Sequence, residues 1–391
     1  MKIFILEDND LKFEAVKELI SQKSMLEPPL ITRAENFFHA QRVLEREQYD
    51  ILILDLVVPV RPDGSPEDIT GDISGLRLDE LCKNRNTPAI ALTQFEEKAE
   101  EGFRNLNNLG VTVVTYSSDD GHWIGAIDRF IELNQPPLKY DFVIICALRK
   151  ERDAYHSLGY SIGEEVIIDD LSCKVLTIGS LRGLVVVPTR MGLVSSAITS
   201  TKCIERFKPK IIGMSGICAG FDHSSKIYDV IVPERCYQHD SGKWTDDGFI
   251  MEPYQAALDE SVRLKIDRIL NRNGFLDSLL RDIIPGATEF PPGTDAISCS
   301  AKLAVSSSGS SVVASSAQSE DMKLYHRKGA AFEMEAYALY DAAVSSCHKP
   351  IFFSAKSVVD NGSVSKSDCY HRIACLVSAR ACTTIISELA A

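Results

Sequence analysis

The run Gly329–Tyr340, GAAFEMEAYALY, read together with Lys356–Gly362, KSVVDNG, decides how the larger part of this chain folds. A small, apolar stretch delivers two carboxylates, Glu333 and Glu335, then passes into an alanine-rich pattern, AYALYDAAVSS, with helical spacing. Being two apart, Glu333 and Glu335 share one face of a strand, while Phe332 and Met334 share the other. The helix is expected to open near Glu335. A second apolar run, FFSAKSVV, ends in a single acid, Asp360. An acid in that position either caps a helix or serves a site. Two strand ends that each bring acid beside apolar walls predict a carboxylate-lined pocket.

The same alternation extends upstream and downstream. FVIICAL, GEEVIIDD, CKVLTIGS, GLVVVPTR, KIIGMSGICAG and YDVIVPERC read as strands; ERDAYHSLG, SSAITSTKCIERF, LDESVRLKIDRIL and HRIACLVSARACTTIISEL read as helices. This predicts an α/β domain over 140–391 with a large mixed central sheet. Arg190–Ser196, RMGLVSS, is a glycine-bearing turn that opens a helix, and Gly213–Gly220 after KII is read as a second. Such glycines let a ligand approach the backbone, and a helix N-terminus favours an anion. Neither turn fits a dinucleotide fingerprint or a P-loop. The serine-rich tract Val305–Ser319 continues a strand, AISCSAKLAVSS, and carries Val312 and Val313. It is therefore read as a small-residue loop with room for a planar base, not as a linker. Arg190, Arg149 and Lys150, at strand ends near the pocket, are candidate contacts for an anion.

Residues 1–134 form a separate pattern. KIFIL, DILILDL, PAIALT and VTVVTY are strand-like. Between them FEAVKELISQ, FFHAQRVLEREQ, GLRLDELCKN and EKAEEGFRNLNNLG have helical spacing, and WIGAIDRFIEL closes the series. This order predicts a doubly wound, parallel, five-stranded flavodoxin-like sheet, whose ligands bind at the carboxyl ends of the strands. Those ends carry Glu7 and Asp8, Asp55, and Thr93. Three acids converging there need a cation or a proton to coexist; a Mg²⁺ ion is the natural solution and would also assist phosphoryl transfer to Asp55. Pro59–Ser74 lengthens the loop after Asp55. Residues 135–139, with two consecutive prolines, form a stiff linker.

With 391 residues, 45% of them hydrophobic and 25% charged, the chain has material for two cores. A net charge of −13 excludes nucleic acid or an anionic membrane as the main partner. No apolar run is read as a membrane span, and MKIFILEDND reads as a strand, not a signal peptide. The eleven cysteines lack metal spacing, and several lie inside apolar runs, which points to buried thiols and a cytoplasmic location.

Glu7, Asp8, Asp55 and Thr93 give the first third a resemblance to response-regulator receiver domains. That resemblance implies Asp55 as phosphoacceptor, Thr93 as switch hydroxyl and a sensor histidine kinase as phosphodonor. Receivers carry a lysine after the last strand; Ser117 stands there, and Val114 takes the aromatic switch position. The motifs ICALRKE, RMGLVSS, SGICAGF, YDVIVP, VSSSGSSVV, FEMEA and KSVVDNG make residues 140–391 similar to the purine nucleoside phosphorylase and methylthioadenosine nucleosidase superfamily. The resemblance implies Glu151 as acid/base, Glu335 as ribose holder with Met334 against the sugar, and Asp360 as the acid at purine N7. It puts Val313 and Phe332 at the base, and Gly216 and Cys218 in a degraded form of the family glycine turn. The family's Arg-Gly-Ile is Lys356-Ser357-Val358 here. An aspartate at the N7 position goes with 6-amino purines, so adenine is expected, with no cofactor for the cleavage itself. Retention of Glu151 favours water over phosphate as the nucleophile.

The fusion of these two domains resembles the effectors of Detocs-type two-component anti-phage defence in bacteria, which degrade ATP to adenine and ribose 5′-triphosphate. Receiver-controlled phosphorolysis or methylthioadenosine cleavage, and a non-catalytic nucleotide sensor, are the alternatives. The superfamily implies a homo-oligomer, dimeric or hexameric.

Overall fold

The computed structural model describes residues 1–22, 29–80, 82–94, 104–119, 121–134, 139–221, 224–252, 254–313, 315, 322, 325–362 and 368–391. The chain divides into two compact units, Met1–Pro136 and Pro137–Ala391.

In the first unit β1 (Lys2–Leu6), α1 (Asp10–Ser21), β2 (Leu30–Ala34), α2 (Phe37–Arg46) and β3 (Ile51–Asp55) lead into a short hairpin, β4 (Val57–Pro59) and β5 (Pro66–Asp68). Then come α3 (Thr70–Leu78), β6 (Ala89–Thr93), β7 (Val111–Thr115) and α4 (His122–Asn134). The sheet is parallel with order β2-β1-β3-β6-β7. Alternation along the strands feeds two cores. Phe4, Leu52, Leu54 and Ala91 meet α2 and α3 on one face. Ile3, Ile5, Ile53 and Ile90 meet α1 and α4 on the other. This is the flavodoxin-like arrangement. The fifth strand is LITRA at 30–34, an edge strand too polar to stand out as an apolar run. The loop expected over Pro59–Ser74 is a hairpin plus the start of α3, and α3 ends at Leu78, earlier than GLRLDELCKN suggests. Most of the helix expected around EKAEEGFRN falls outside the described residues.

The second unit begins with β8 (Phe142–Cys146), α5 (Arg149–Ser157), β9 (Ser161–Ile168), β10 (Leu171–Ile178), β11 (Leu181–Val187), α6 (Leu193–Phe207), β12 (Ile211–Gly220) and β13 (Val230–Gln238). A two-stranded ribbon, β14 (Gly242–Thr245) and β15 (Gly248–Met251), precedes β16 (Gln255–Ala257), α7 (Glu260–Leu270) and α8 (Phe275–Leu280). The unit ends with β17 (Ala301–Ser308), β18 (Gly329–Glu333), α9 (Ala336–Ser345), β19 (Ile351–Asp360) and α10 (His371–Ala390). Ten strands form one mixed sheet in the order β16-β13-β17-β18-β12-β8-β11-β10-β9, with β19 pairing β12 and β13.

KIIGMSGICAG is not a strand-to-helix turn. β12 runs unbroken through Gly220, because its glycines admit neighbours from the side. A Cβ at Gly216, where φ is +151°, would lie 2.3 Å from Glu151 Oε1. α10 with its preceding turn, Asp368–Ala390, is long and apolar enough to cross a membrane, which the sequence reading did not register. However, 72% of its apolar window is buried inside the unit. All eleven cysteines are free thiols, and most are buried.

Candidate active site

Sheet register assembles the site. Ala219 on β12 pairs with Phe332 on β18 and with Asp360 on β19, so strands distant in sequence end side by side. The cavity there is lined by Glu151, Cys218, Val313, Phe332, Met334, Glu335, Asp360 and, from α10, His371, among others. Val313 and Phe332 belong to one apolar cluster with Phe221, whose ring centroid is 5.0 Å from that of Phe332. After β19 the chain turns at Gly362, φ +72°, where a Cβ would strike the Phe332 ring at 2.4 Å. The Gly362 N–H donates to Asp360 Oδ1 at 2.6 Å and holds that carboxyl at the strand end.

The two glutamates of FEMEA separate by role. Glu333 closes β18 and accepts from the backbone N–H of Glu335 at 3.0 Å and of Ala336 at 3.0 Å, so it caps α9. Ser308 Oγ also donates to it. Burial alone would push the Glu333 carboxyl up, but Lys356 and these donors hold it below its ordinary range. Glu335 is the α9 cap residue itself; its Oε1 accepts from Gly192 N–H at 3.2 Å. The turn RMGLVSS thus serves the site through the backbone of Gly192, while Arg190 is exposed and lies off the cavity wall.

Glu151 sits in the first turn of α5, 2% exposed. Its Oε2 accepts from Leu148 N–H at 3.0 Å, the reach-back of an N3 glutamate to the cap residue, and Oε1 accepts from Ile217 N–H at 3.0 Å. Burial, partly offset by Lys356 and reinforced by Glu335, pushes its pKa up to about 7. Gly216 therefore does not line the cavity; it vacates the space Glu151 occupies. Cys218 does line it, with burial pushing its thiol well up and out of nucleophilic range. Arg149 is turned away from the cavity and bonds Glu165 at 3.0 Å.

Sequence reasoning gave Lys356 no role. Its ammonium, 3% exposed, lies 2.5 Å from Glu333 Oε2 and 2.7 Å from Glu335 Oε2. Burial would strip the proton, but Glu333, Glu335 and Glu151 together keep its pKa well above the ordinary value. The signal was present: a lysine inside the apolar run FFSAKSVVD must find buried carboxylates. His371, nine residues beyond the last recognisable motif, carried no such signal.

In the first unit Glu7, Asp8 and Asp55 converge at the strand ends, with ligand atoms all within 4.8 Å of one another. Asp55 Oδ1 accepts from Val57 N–H at 3.0 Å, and Thr93 is fully buried at the end of β6. Burial pushes Glu7 up to about 7, against the pull of Lys12, and raises Asp8 as well. Three carboxylates at this spacing suit an oxygen-liganded cation such as Mg²⁺. The expected gap at Ser117 is real in sequence, since that side chain accepts from Asp119 N–H within a turn. An ammonium is nevertheless in the pocket, supplied from α1. Lys12 Nζ lies 2.5 Å from Asp55 Oδ2, 2.8 Å from Glu7 Oε2 and 3.1 Å from the Leu92 carbonyl. It also sits 5.4 Å from the Tyr116 ring, next to the Val114 position expected to carry an aromatic switch.

With this geometry established, relatives place the chain. Residues 141–365, more than half of it, match the sequence profile of the phosphorylase superfamily, and the chain belongs to that superfamily. An uncharacterised protein of Sinorhizobium fredii, y4jS, is 25% identical over 92% of this chain and 92% of its own length, an alignment long enough to include both units. The ATP nucleosidase Cap17 of Escherichia coli is 27% identical over 209 residues, 51% of this chain but 40% of that protein. Among solved structures, a 5′-methylthioadenosine/S-adenosylhomocysteine nucleosidase of Colwellia psychrerythraea in complex with adenine covers 64% of this chain and 96% of its own, with a TM-score of 0.51 at 16% identity. The futalosine hydrolase of Helicobacter pylori covers 64% of this chain and 98% of its own, with a TM-score of 0.50 at 19% identity. These two likenesses concern the fold. The first unit has the flavodoxin-like parallel sheet consistent with a receiver.

Removing Lys12 leaves buried carboxylates uncompensated, so Lys12→Met is expected to destabilise the first unit by roughly 3–5 kcal/mol. Millimolar Mg²⁺ should restore part of the lost melting temperature. Thermal unfolding with and without Mg²⁺ checks this; a variant whose response to Mg²⁺ equals that of the wild type would contradict it.

Proposed function

We propose that the second unit hydrolyses the N-glycosidic bond of adenine nucleotides, ATP foremost, yielding adenine and ribose 5′-triphosphate. The observation that carries this reading is the meeting of Asp360, Glu335 and Glu151 in one apolar-walled cavity. Asp360 delivers a proton to N7 of the purine as the C1′–N9 bond breaks and its electron pair passes to the base. Glu335 accepts from the ribose hydroxyls and orients the sugar, with Met334 against it. The C1′ centre becomes oxocarbenium-like, as in glycoside hydrolysis, and takes up water whose proton passes to Glu151. Lys356 bonds Glu335 Oε2 and so fixes that side chain for hydroxyl recognition, while its charge lowers the cost of placing Glu335 beside Glu151. The N-glycosidic hydrolase reading is supported by membership of the phosphorylase superfamily and by the similarity to an enzyme named ATP nucleosidase.

The first unit acts in this reading as a phosphorylation switch. A histidine kinase transfers its phosphoryl group to an Asp55 oxygen, and the imidazole leaves. Glu7, Asp8 and Asp55 would hold a Mg²⁺ ion, which supplies positive charge against the phosphoryl oxygens. Lys12 is the residue placed to pair with the phosphorylated side chain in place of the absent strand-end lysine. The biological setting that fits this pairing of units is bacterial anti-phage defence by nucleotide depletion.

Purified full-length protein incubated with ATP, AMP, adenosine or methylthioadenosine should release adenine without added phosphate; release only when phosphate is present would mean phosphorolysis instead. Asp360→Asn is expected to slow release by about 10²–10⁴-fold, and undiminished cleavage would remove Asp360 from its role. Because Glu151 must be ionised to accept a proton and its pKa is pushed up to about 7, kcat/KM should rise with pH through about 7. Glu151→Gln should abolish that limb of the profile. Asp55→Ala should not respond to an acyl-phosphate donor; activation of this variant would exclude Asp55 as the trigger.

A further inference from the structure

Between its apolar walls, the charge in the cavity is almost all negative. Glu151, Glu333, Glu335 and Asp360 all line it, and among the described residues His371 is the one basic side chain on its wall. Behind His371 stands Lys150, whose Nζ is 2.5 Å from His371 Nδ1. The other cations nearby are already engaged. Arg149 and Arg152 share Glu165, and Lys356 is held by Glu333 and Glu335. Lys150 is exposed, and among the described residues its one polar contact is with His371. Among the described residues the imidazole has a single acidic neighbour in ion-pair range, Asp368 at 3.4 Å, whose side chain is 92% exposed.

We propose that Lys150 and His371 form the phosphate-binding corner of the cavity, taking the 5′-polyphosphate of a nucleotide substrate. This rests on the nucleosidase reading above and names its substrate class. The chemistry follows from the contact. An ammonium and an imidazole this close share one hydrogen bond, with Nζ donating to Nδ1, so the ring proton sits on Nε2. Nε2–H and the remaining N–H bonds of Nζ are then donors grouped at one corner. Such a group suits oxyanions and would leave a thioether substituent without partners. The two residues are set by the opening turns of α5 and α10, and α5 also carries Glu151. A nucleotide gripped at its phosphates is thereby aligned with the water-activating carboxylate. Without such an anchor the four wall carboxylates would repel a polyphosphate.

The test is isothermal calorimetry on the full-length chain at fixed ionic strength, with ATP, AMP, adenosine, inorganic tripolyphosphate and inorganic phosphate as probes, beside adenine-release kinetics. ATP should bind more tightly than adenosine. Lys150→Gln and His371→Gln should each lower the ATP-to-adenosine affinity ratio by about tenfold, and Lys150→Arg should restore much of it. Tripolyphosphate should compete with ATP in the wild type and weaken in both variants. The proposal is overturned if either substitution lowers ATP and adenosine binding equally, or if ATP binds no tighter than adenosine. It is also overturned if inorganic phosphate occupies the corner together with adenosine and is consumed in releasing adenine, since the corner then serves a free phosphate. Lys150-dependent ATP binding without adenine release from any probe would sink the hydrolase reading while leaving the corner intact. Adenine release with no dependence on Lys150 would do the reverse.

Discussion

A buried ammonium among carboxylates organises the second unit. Lys356 lies in the middle of β19 and bonds Glu333 and Glu335 at once, with Glu151 close enough to raise its pKa. Each partner then supports something else. Glu333 caps α9, which fixes where the helix begins and so where Glu335 stands. Glu151 spans from the α5 cap to Ile217 on β12, through space that only a glycine at 216 leaves open. Removing the ammonium would strand buried negative charge, a loss on the order of 3–5 kcal/mol. The cluster thus ties strand ends, helix starts and site chemistry to a single charge balance.

The first unit uses the same device at the ends of its parallel strands. Lys12 reaches from α1 into the carboxylates of Glu7 and Asp55, below an aromatic pair formed by Tyr116 and Trp123 with ring centroids 4.9 Å apart. A buried ion pair is weak evidence for stability in itself, since desolvation offsets much of the attraction. Its stronger consequence here is chemical. The pocket carries its own cation, so any incoming metal or phosphoryl group must contend with an ammonium already bonded to Asp55.

Much of the architecture was legible in the sequence because hydrophobic period reports directly on strands and helices. The serine-rich tract held to its strand through Ser308; of its apolar pair, Val313 is buried while Val312 is exposed. The edge strand at 30–34 was harder to see, since one solvated side dilutes its apolar pattern. β12 was misread for a different reason. Glycine signals both turns and close approach, and only the position of the Glu151 carboxylate shows that close approach is the reason at Gly216.

The chemistry divides in the same way. By itself the sequence determined the class of both units and the acid at the end of β19, because these depend on local spacing. Spacing put Glu333 and Glu335 on one face, and the structure shows Glu333 to be the one that caps α9. Tertiary structure alone decided the cations. Lys12 bonds Asp55 across 43 positions, Lys356 bonds Glu335 across 21, and Lys150 meets His371 across 221. A lysine's long, flexible side chain leaves no periodic trace of its partner, so which carboxylate or imidazole it meets is settled only when sheet register and helix placement bring the two together.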